Sequence, residues 1–277
     1  MTRRFSVHST FYAATVFAAF LLLLAGVFGQ GNAAPPAKPA AVSAPAVTLN
    51  VFAAASLTEA LTEIATLYKA SAPAVTLAFN FDSSGKLQTQ IENGAEADVF
   101  FSAGKKQMDA LAACCVDAAT RKDLLVNKIV LIVPKGSKAG IKSFQDCLTD
   151  KVKLIALGNS SVPVGQYSEE IFKNLNGWDK VSAKASLGTN VKEVLSQTES
   201  GSVDCGVVYA TDAATSKGGI TIVATAPEGS HAPAVYPIGV LKKTTNAEAA
   251  KAFVNFLSTP KAVAVFEKIG FNIVKSI

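Results

Sequence analysis

The sequence predicts an α/β fold made of two lobes that are joined by two crossing strands. Short apolar stretches, each followed by a segment of helical periodicity, recur along the chain, and this alternation is typical of α/β folds. The alternation restarts after a long apolar run at residues 127–134, and a similar run at 236–241 precedes two C-terminal helical segments. We therefore assign residues 47–126 plus 237–277 to the first lobe and residues 127–236 to the second.

The N-terminus has the pattern of a secretory signal peptide. Arg3 and Arg4 precede an apolar run over about residues 11–29, and small residues follow, so residues 1–34 are interpreted as a cleaved signal peptide. A retained membrane anchor is the alternative, because the apolar run is nearly long enough to span a bilayer. Residues 35–46 are rich in Ala and Pro and are interpreted as a tether.

The charge balance and the histidine content argue against two classes of binding site. The formal net charge of +5 falls to +3 once Arg3 and Arg4 are removed, since residues 1–34 contain no acidic residue. This mild surplus, without a basic stripe interleaved with aromatic residues, does not predict nucleic-acid binding. The mature chain keeps one histidine, His231, and has no C-x-x-C pair, so a zinc site is not expected.

The four cysteines are Cys114, Cys115, Cys147 and Cys205. Export would permit disulfide bonds, and the three possible pairings of four cysteines stay open. A bond between the adjacent Cys114 and Cys115 would strain the backbone. Cys205 lies in an apolar run and is expected to be a small buried residue.

The first lobe opens with the strand-to-helix junction Val51-Phe-Ala-Ala-Ala-Ser56-Leu-Thr-Glu59. The apolar residues before Ser56 are typical of a buried strand, and Ser56 followed by Glu59 matches a helix capping box. Two further strand–helix pairs follow. Strands are expected at about residues 74–81 and 98–102, and helices at about 86–93 and 104–113.

Each of these three junctions carries small or hydroxyl-bearing residues, namely Ser56, Ser84 and the pair Ser102-Ala103. Small residues let backbone N–H groups approach a ligand closely, and the N-terminus of a helix attracts anions. Open α/β sheets bind their ligands beyond the carboxyl ends of the strands. The junctions therefore predict an anion site at this edge of the sheet.

The second lobe repeats the same alternation. Pro163 suits the first position of a helix, and Asn190 suits an N-cap. Strands are predicted at residues 127–134, 154–157, 183–187, 203–209, 220–224 and 236–241, the first and last of which are the crossing strands. Helices at about residues 247–257 and 260–269 end the chain.

Three other interpretations, two catalytic and one nucleotide-binding, have less support in the sequence than the anion site. Ser83-Ser-Gly-Lys86 matches the S-x-x-K pattern of serine acyl-enzymes, but neither an S-D-N nor a K-T-G partner motif occurs. A phosphate loop would need glycine where Asn80 stands and Ser or Thr where Leu87 stands. A serine triad would need His231, which lies in a polar turn. An exported serine hydrolase that uses Ser83 and Lys86 is kept as the enzymatic alternative.

Six motifs stand in the order of a family we recognise. They are Val51-Phe-Ala-Ala-Ala-Ser56-Leu-Thr, Phe81-Asp-Ser-Ser84-Gly, Ala97-Asp-Val-Phe-Phe-Ser-Ala103, Val162-Pro-Val-Gly-Gln-Tyr167, Asn190-Val191 and Gly206-Val-Val-Tyr209-Ala-Thr-Asp212. Over about residues 47–274 the chain resembles the periplasmic molybdate-binding proteins of ABC importers. The resemblance implies the fold of a type II periplasmic binding protein, which agrees with the two predicted lobes.

The resemblance implies that molybdate or tungstate is bound through its oxygens by uncharged donors, with no cofactor and no catalytic residue. Carried over position by position, the donors are the hydroxyl and backbone groups of Ser56 and Ser84, the backbone N–H groups of Ala103, Val164 and Val191, and the phenol of Tyr209.

Two departures from the family pattern concern this site. The family commonly has Ala where this chain has Val164, but a backbone donor survives that change. The family often has three serines in a row where this chain has Asp82-Ser83-Ser84-Gly85, and we expect Asp82 to point away from an anion.

The implied function is capture of molybdate, and of tungstate, in the cleft between the lobes, followed by delivery to the membrane permease of a molybdate ABC importer. A receptor of the same fold for sulfate or another oxyanion is the alternative. The protein is expected to be a periplasmic monomer that neither binds nucleic acid nor acts as an enzyme.

Overall fold

The computed structural model describes residues 46–274. The predicted signal peptide at residues 1–34 and the tether up to residue 45 lie outside the described residues, so both stay predictions. Within residues 46–274, no helix is long and apolar enough to cross a membrane.

Strands and helices alternate along most of the described chain. The strands are β1 (Val47–Ala54), β2 (Val75–Asp82), β3 (Val99–Phe101), β4 (Lys122–Asn127), β5 (Ile129–Pro134), β6 (Ile155–Gly158), β7 (Ala185–Gly188), β8 (Cys205–Tyr209), β9 (Ile220–Thr225), β10 (Ala234–Val240) and β11 (Asn272–Ile273). The α-helices are α1 (Thr58–Ser71), α2 (Ser84–Glu92), α3 (Lys105–Ala112), α4 (Pro163–Asn174), α5 (Trp178–Ser182), α6 (Val191–Glu199), α7 (Ala210–Thr215), α8 (Ala247–Phe256) and α9 (Pro260–Ile269).

Two separate sheets organise these elements. The first has the order β11-β4-β10-β3-β1-β2, and the second has the order β7-β6-β8-β5-β9. In the first sheet β1 pairs in parallel with β2 and β3, while β10 runs antiparallel to β3 and β4. In the second sheet β6 pairs in parallel with β7 and β8, while β5 is antiparallel to β8 and β9. The predicted α/β fold with two lobes is confirmed.

Helices cover both sheets and bury their apolar sides. In what we call the first lobe, α1, α2, α3, α8 and α9 pack with the six-stranded sheet; in the second lobe, α4, α6 and α7 pack with the five-stranded sheet. Tyr68 on α1 meets the rings of Phe253 and Phe256 on α8 edge to face, at centroid distances of 5.2 and 5.0 Å. Such aromatic pairs add to the apolar burial that holds the C-terminal helices on the first lobe.

The chain passes between the sheets at two places. The predicted crossing strand at residues 127–134 does not itself cross, because β4 ends at Asn127 in the first sheet and residues 129–134 form β5, which lies wholly in the second. The Asn127 side chain accepts a hydrogen bond from the backbone N–H of Lys128 at 2.9 Å, which fits a change of direction at this point. The second passage lies between Thr225 and Ala234, since β10 belongs wholly to the first sheet. The lobe boundaries assigned from sequence stay a proposal.

The structure pairs the adjacent cysteines. Cys114 and Cys115 form a disulfide just after α3, which belongs to one of the three pairings that the sequence left open. Cys147 and Cys205 are free and fully buried, with their sulfurs 3.9 Å apart. The prediction of a small buried residue at Cys205 is confirmed.

Candidate functional site

A small cavity lies where the two lobes meet, and five of the six predicted site residues line it. Its volume is about 10 Å³, which is about the space that one water molecule needs. An oxyanion of five atoms would therefore fit only if the surrounding groups moved apart. The lining residues are Ala54, Ala55, Ser56, Asp82, Ser83, Ser84, Ala103, Val162, Pro163, Val191 and Tyr209.

Ser56 lies two residues after the end of β1, and it does not cap α1. A 3₁₀ turn at Ala55–Leu57 precedes the helix, and the N-cap position falls on Leu57 without a side-chain hydrogen bond. The Ser56 hydroxyl instead lies 2.9 Å from the hydroxyl of Tyr236. The predicted capping box was therefore wrong, because the 3₁₀ turn moves the start of α1 and leaves the Ser56 side chain free to enter the cavity wall.

Ser84 is the first residue of α2, and the preceding serine caps this helix. The hydroxyl of Ser83 accepts a hydrogen bond from the N–H of Lys86 at 3.4 Å, and Ser84 is fully buried. The Ser84 Oγ accepts a hydrogen bond from the backbone N–H of Ala103 at 2.9 Å. Two predicted ligand donors of the first lobe are thus bonded to each other.

Asp82 was expected to point away from the site, but it lines the cavity. Both oxygens of its carboxylate nevertheless have partners within the first lobe. One oxygen accepts from the backbone N–H of Ser83 at 2.7 Å, and the other lies 3.3 Å from Lys86 Nζ. The Lys86 charge offsets that of Asp82 and reduces the repulsion that a bound anion would meet.

Tyr209 brings a hydroxyl donor from the second lobe to the first. Its Oη donates to the backbone carbonyl of Ala103 at 3.2 Å, and its ring meets that of Tyr236 edge to face at 5.5 Å. Burial is the largest cause that raises the pKa of Tyr209 well above its ordinary value. The phenol therefore stays protonated and can donate at any physiological pH.

The second lobe presents the N-termini of two helices to the cavity. Helix α6 begins at Val191, and its N-cap Asn190 accepts a hydrogen bond from the N–H of Glu193 at 3.1 Å, as predicted. Helix α4 begins with Pro163 at its first position, also as predicted. The first N–H groups of a helix have no partner within the helix and carry its positive dipole end, so both termini suit an anion.

Val164 is the predicted site residue that does not line the cavity. It is fully buried in the first turn of α4, while its neighbours Val162 and Pro163 form the cavity wall. Its carbonyl accepts a hydrogen bond from the hydroxyl of Ser168 at 2.7 Å. Any contribution of Val164 to a ligand would come from its backbone N–H.

A buried polar network beneath Ser56 was missed by the sequence analysis. The amide of Asn127 donates to the hydroxyl of Tyr236 at 3.2 Å and to that of Thr211 at 2.8 Å. Because Tyr236 also contacts Ser56, the network joins the cavity to the first passage between the sheets and to α7. The sequence carried a weak signal for this network, because each of the two long apolar runs starts with a polar side chain. These are Asn127 in the run at residues 127–134 and Tyr236 in the run at residues 236–241.

A second group of charged residues lies beside the cavity and, unlike Asp82, does not line it. Lys192, next to Val191, contacts both carboxylate oxygens of Glu59 on α1 at 2.8 Å and lies 3.1 Å from Asp212 on α7. Burial of Asp212 outweighs the attraction of Lys192 and raises the pKa of this carboxyl to about 6. Burial alone would lower the pKa of Lys192, but Asp212 and Glu59 together raise it. The lysine charge is therefore neutralised by its own partners.

The lobes also meet through backbone contacts. The N–H of Gly85 on α2 donates to the carbonyl of Ser161 in the second lobe at 3.1 Å. A Cβ atom at position 85 would lie 2.2 Å from that carbonyl oxygen, so glycine is required for this approach. The side chains of Gln107 and Gln166 add a hydrogen bond of 3.2 Å between the lobes.

Comparisons with known proteins agree with this architecture. Residues 49–272 match the family described as bacterial extracellular solute-binding protein. The molybdate-binding protein ModA of Escherichia coli is 40% identical over 233 residues, which are 81% of this chain and 89% of that protein.

Solved structures of related folds are similar in the same region. The periplasmic molybdate-binding protein of Azotobacter vinelandii superposes with a TM-score of 0.72 at 25% identity, covering 82% of this chain and 100% of that one. The sulfate-binding protein SubI of Mycobacterium tuberculosis also superposes with a TM-score of 0.72, at 16% identity, covering 83% of this chain and 88% of that one. At that identity the likeness to SubI supports the fold alone.

Proposed function

The chain belongs to the family of bacterial extracellular solute-binding proteins, and from that premise we propose that it captures molybdate in the cavity between its lobes. The relatives are solute-binding proteins of ABC transporters rather than enzymes, and this chain is likewise not an enzyme. Molybdate is its transported ligand and not a cofactor.

The observation that carries the proposal is the kind of group that surrounds the cavity. The donors we propose are the hydroxyls of Ser56, Ser84 and Tyr209 and the backbone N–H groups of Ala103 and Val191, and all five residues line the cavity. A fully ionised oxyanion has only acceptor oxygens, so uncharged donors suit it. Asp82 is the one carboxylate among the lining residues, and it is already bonded to the N–H of Ser83 and paired with Lys86. A phosphate that keeps a proton would need an acceptor in addition.

Ligand binding would exchange weaker hydrogen bonds for stronger ones. In the structure the N–H of Ala103 is bonded to Ser84, and the hydroxyl of Tyr209 to the Ala103 carbonyl. Hydrogen bonds between neutral groups contribute about 0.5–1.5 kcal/mol, whereas those to a charged group contribute about 1.5–3 kcal/mol. An oxyanion that replaces these internal partners is therefore held, and it still links the two lobes.

We further propose that tungstate binds in the same way, because it is a tetrahedral oxyanion of the same charge. A receptor for sulfate or another oxyanion is the second candidate, and the similarity of fold to a sulfate-binding protein favours it only at the level of architecture. Size separates the two candidates, since shorter bonds would keep a sulfate from reaching every donor of a site built for molybdate.

The remaining features of the proposal concern the setting of the protein. We propose that it is exported by the signal peptide at residues 1–34, acts as a periplasmic monomer, and delivers molybdate to the membrane permease of an ABC importer. The description of the family as extracellular supports the location. We expect no nucleic-acid partner.

A melting experiment tests the choice of ligand. A ligand that binds only the folded form stabilises it by about 2.7 kcal/mol at a hundredfold excess over its dissociation constant. At about 2–4 °C per kcal/mol for a chain of this size, the melting temperature should rise by about 5–10 °C. Molybdate and tungstate should do this at micromolar concentration, whereas sulfate and phosphate should need at least about a hundredfold more.

The scan is made at matched ionic strength, with chloride as the control anion. Equal shifts from sulfate and molybdate would favour the general oxyanion receptor. If none of the anions raised the melting temperature, the proposal of an oxyanion-binding protein would fail.

The hydroxyl donors are tested by single substitutions. Ser56→Ala and Ser84→Ala should each weaken molybdate binding by about 1–3 kcal/mol, because a ligand oxygen loses its partner. Val164→Ala should change the affinity much less, since only its backbone is proposed to take part. Titration calorimetry compares the three variants, and a larger loss for Val164→Ala than for both serine variants would contradict the assigned roles.

A further inference from the structure

We propose that Lys192 is a positioning residue of the oxyanion site, which holds the N-terminus of α6 against the first lobe through its ion pair with Glu59. This inference rests on the proposed function, because it concerns how tightly the oxyanion is held. Lys192 does not line the cavity, whereas its neighbour Val191 does. Its effect on binding is therefore exerted through the helix and not by contact with the ligand.

The geometry gives Lys192 one carboxylate partner in each lobe. Asp212 belongs to the second lobe, as Lys192 does, and the two charged groups lie 3.1 Å apart. Glu59 belongs to α1 of the first lobe, and both of its oxygens lie 2.8 Å from Lys192 Nζ. Any separation of the lobes would break the contact with Glu59 and leave the contact with Asp212 intact.

Asp212 also helps Lys192 to make its contact with Glu59 in the other lobe. Asp212 is fully buried, so its charge keeps the ammonium group of Lys192 in place. A side chain that is already held loses less rotamer freedom when it meets another partner. The side chain of Lys192 is also only 28% exposed, and that of Glu59 is 41% exposed.

The same helix offers a matched control. Glu63, four residues after Glu59 on α1, contacts Lys268 through both carboxylate oxygens at 2.9 Å. Lys268 lies on α9, so both partners of this pair belong to the first lobe. The two pairs share residue types and near-equal distances, but only the pair of Glu59 and Lys192 joins the lobes.

The experiment compares Glu59→Gln with Glu63→Gln in molybdate titrations at low ionic strength. Glu59 is the residue to change, because removing the Lys192 charge would leave buried Asp212 without its counter-charge. Glu59→Gln should weaken molybdate binding by about fivefold, within the upper range of exposed ion pairs, through faster dissociation. Glu63→Gln should change the affinity by less than about twofold.

Two further readouts separate positioning from a general loss of stability. Each unliganded variant should lose at most about 2–4 °C of melting temperature, because an exposed ion pair contributes about 1 kcal/mol or less. High salt should lower the molybdate affinity of the wild-type protein toward that of Glu59→Gln, since screening weakens the ion pair. The variant Lys192→Arg should keep most of the wild-type affinity.

Equal losses of affinity in Glu59→Gln and Glu63→Gln would overturn the inference while leaving the proposed function intact. So would an affinity for Glu59→Gln that matches the wild-type value. Failure of the wild-type protein to bind molybdate or tungstate at all would overturn the proposed function, and the role of Lys192 with it.

Discussion

Replacing Gly85 with alanine is expected to weaken molybdate binding by about 10- to 100-fold. The new Cβ would lie 2.2 Å from the backbone oxygen of Ser161, which belongs to the other lobe, so the lobes could not approach as they do in the structure. Forcing an extra carbon into a packed contact costs about 1–3 kcal/mol, and each 1.4 kcal/mol is a tenfold change in affinity. The hydrogen bond from the Gly85 N–H to Ser161 would be lost as well.

The unliganded variant should nevertheless fold well. Gly85 lies in the first turn of α2, and its φ angle is not positive, so alanine fits its backbone. Alanine favours a helix over glycine by about 1 kcal/mol. A loss of affinity without a loss of melting temperature is therefore the signature of a contact between the lobes.

Gly104→Ala is the matched control for this experiment. Its Cβ would lie 3.2 Å from the ring of Pro163 in the second lobe and 3.1 Å from the side chain of Gln107, which are tight contacts that small shifts can relieve. Titration calorimetry should find a clearly smaller loss for Gly104→Ala than for Gly85→Ala. Equal affinities of Gly85→Ala and the wild-type protein would show that ligand binding does not need this approach of the lobes.

Replacing Asp212 with asparagine is expected to remove a fall in stability between about pH 4 and pH 6. Burial raises the pKa of Asp212 from 3.8 to about 6, so in this range the unfolded chain releases the proton and the folded chain keeps it. Stability falls with rising pH wherever the unfolded state binds fewer protons. The contribution of Asp212 is thus fully present below pH 4 and lost by about pH 6, and it amounts to about 3 kcal/mol at 1.36 kcal/mol per pKa unit.

Denaturant unfolding of both proteins at several pH values measures this effect. The free energy of unfolding of the wild-type protein, minus that of Asp212→Asn, should fall as the pH rises through this range. Asp146→Asn is a control of opposite sign, because a hydrogen bond from Lys151 is the largest cause that lowers the pKa of Asp146 to about 2. Parallel curves for the wild-type protein and Asp212→Asn would contradict the raised pKa.

Local features of the site could be predicted where a short segment carries its own signal. Asn190 accepts from an N–H three residues ahead, and Pro163 occupies a position that needs no N–H, so both helix starts follow from neighbouring residues alone. Five of the six residues named from family motifs line one cavity. Their roles as ligand donors stay predictions.

Ser56 shows where such signals fail. The spacing of Ser56 and Glu59 matches a capping box, yet the serine contacts Tyr236, which lies 180 residues away. Glu59 likewise contacts Lys192 in the other lobe instead of an N–H of its own helix. A capping hydrogen bond contributes about 1 kcal/mol, so a buried partner or an ion pair of similar strength can replace it, and the local pattern does not reveal which occurs.

The sequence by itself determined the alternation of strands and helices, the two lobes, and the small and hydroxyl-bearing residues at the strand ends, because these follow from periodicity and residue type. The tertiary structure alone decided which donors bond to each other, that Gly85 must lack a side chain, and that Lys192 has a carboxylate partner in each lobe. These contacts join residues far apart in sequence, and their distances depend on how the two sheets meet.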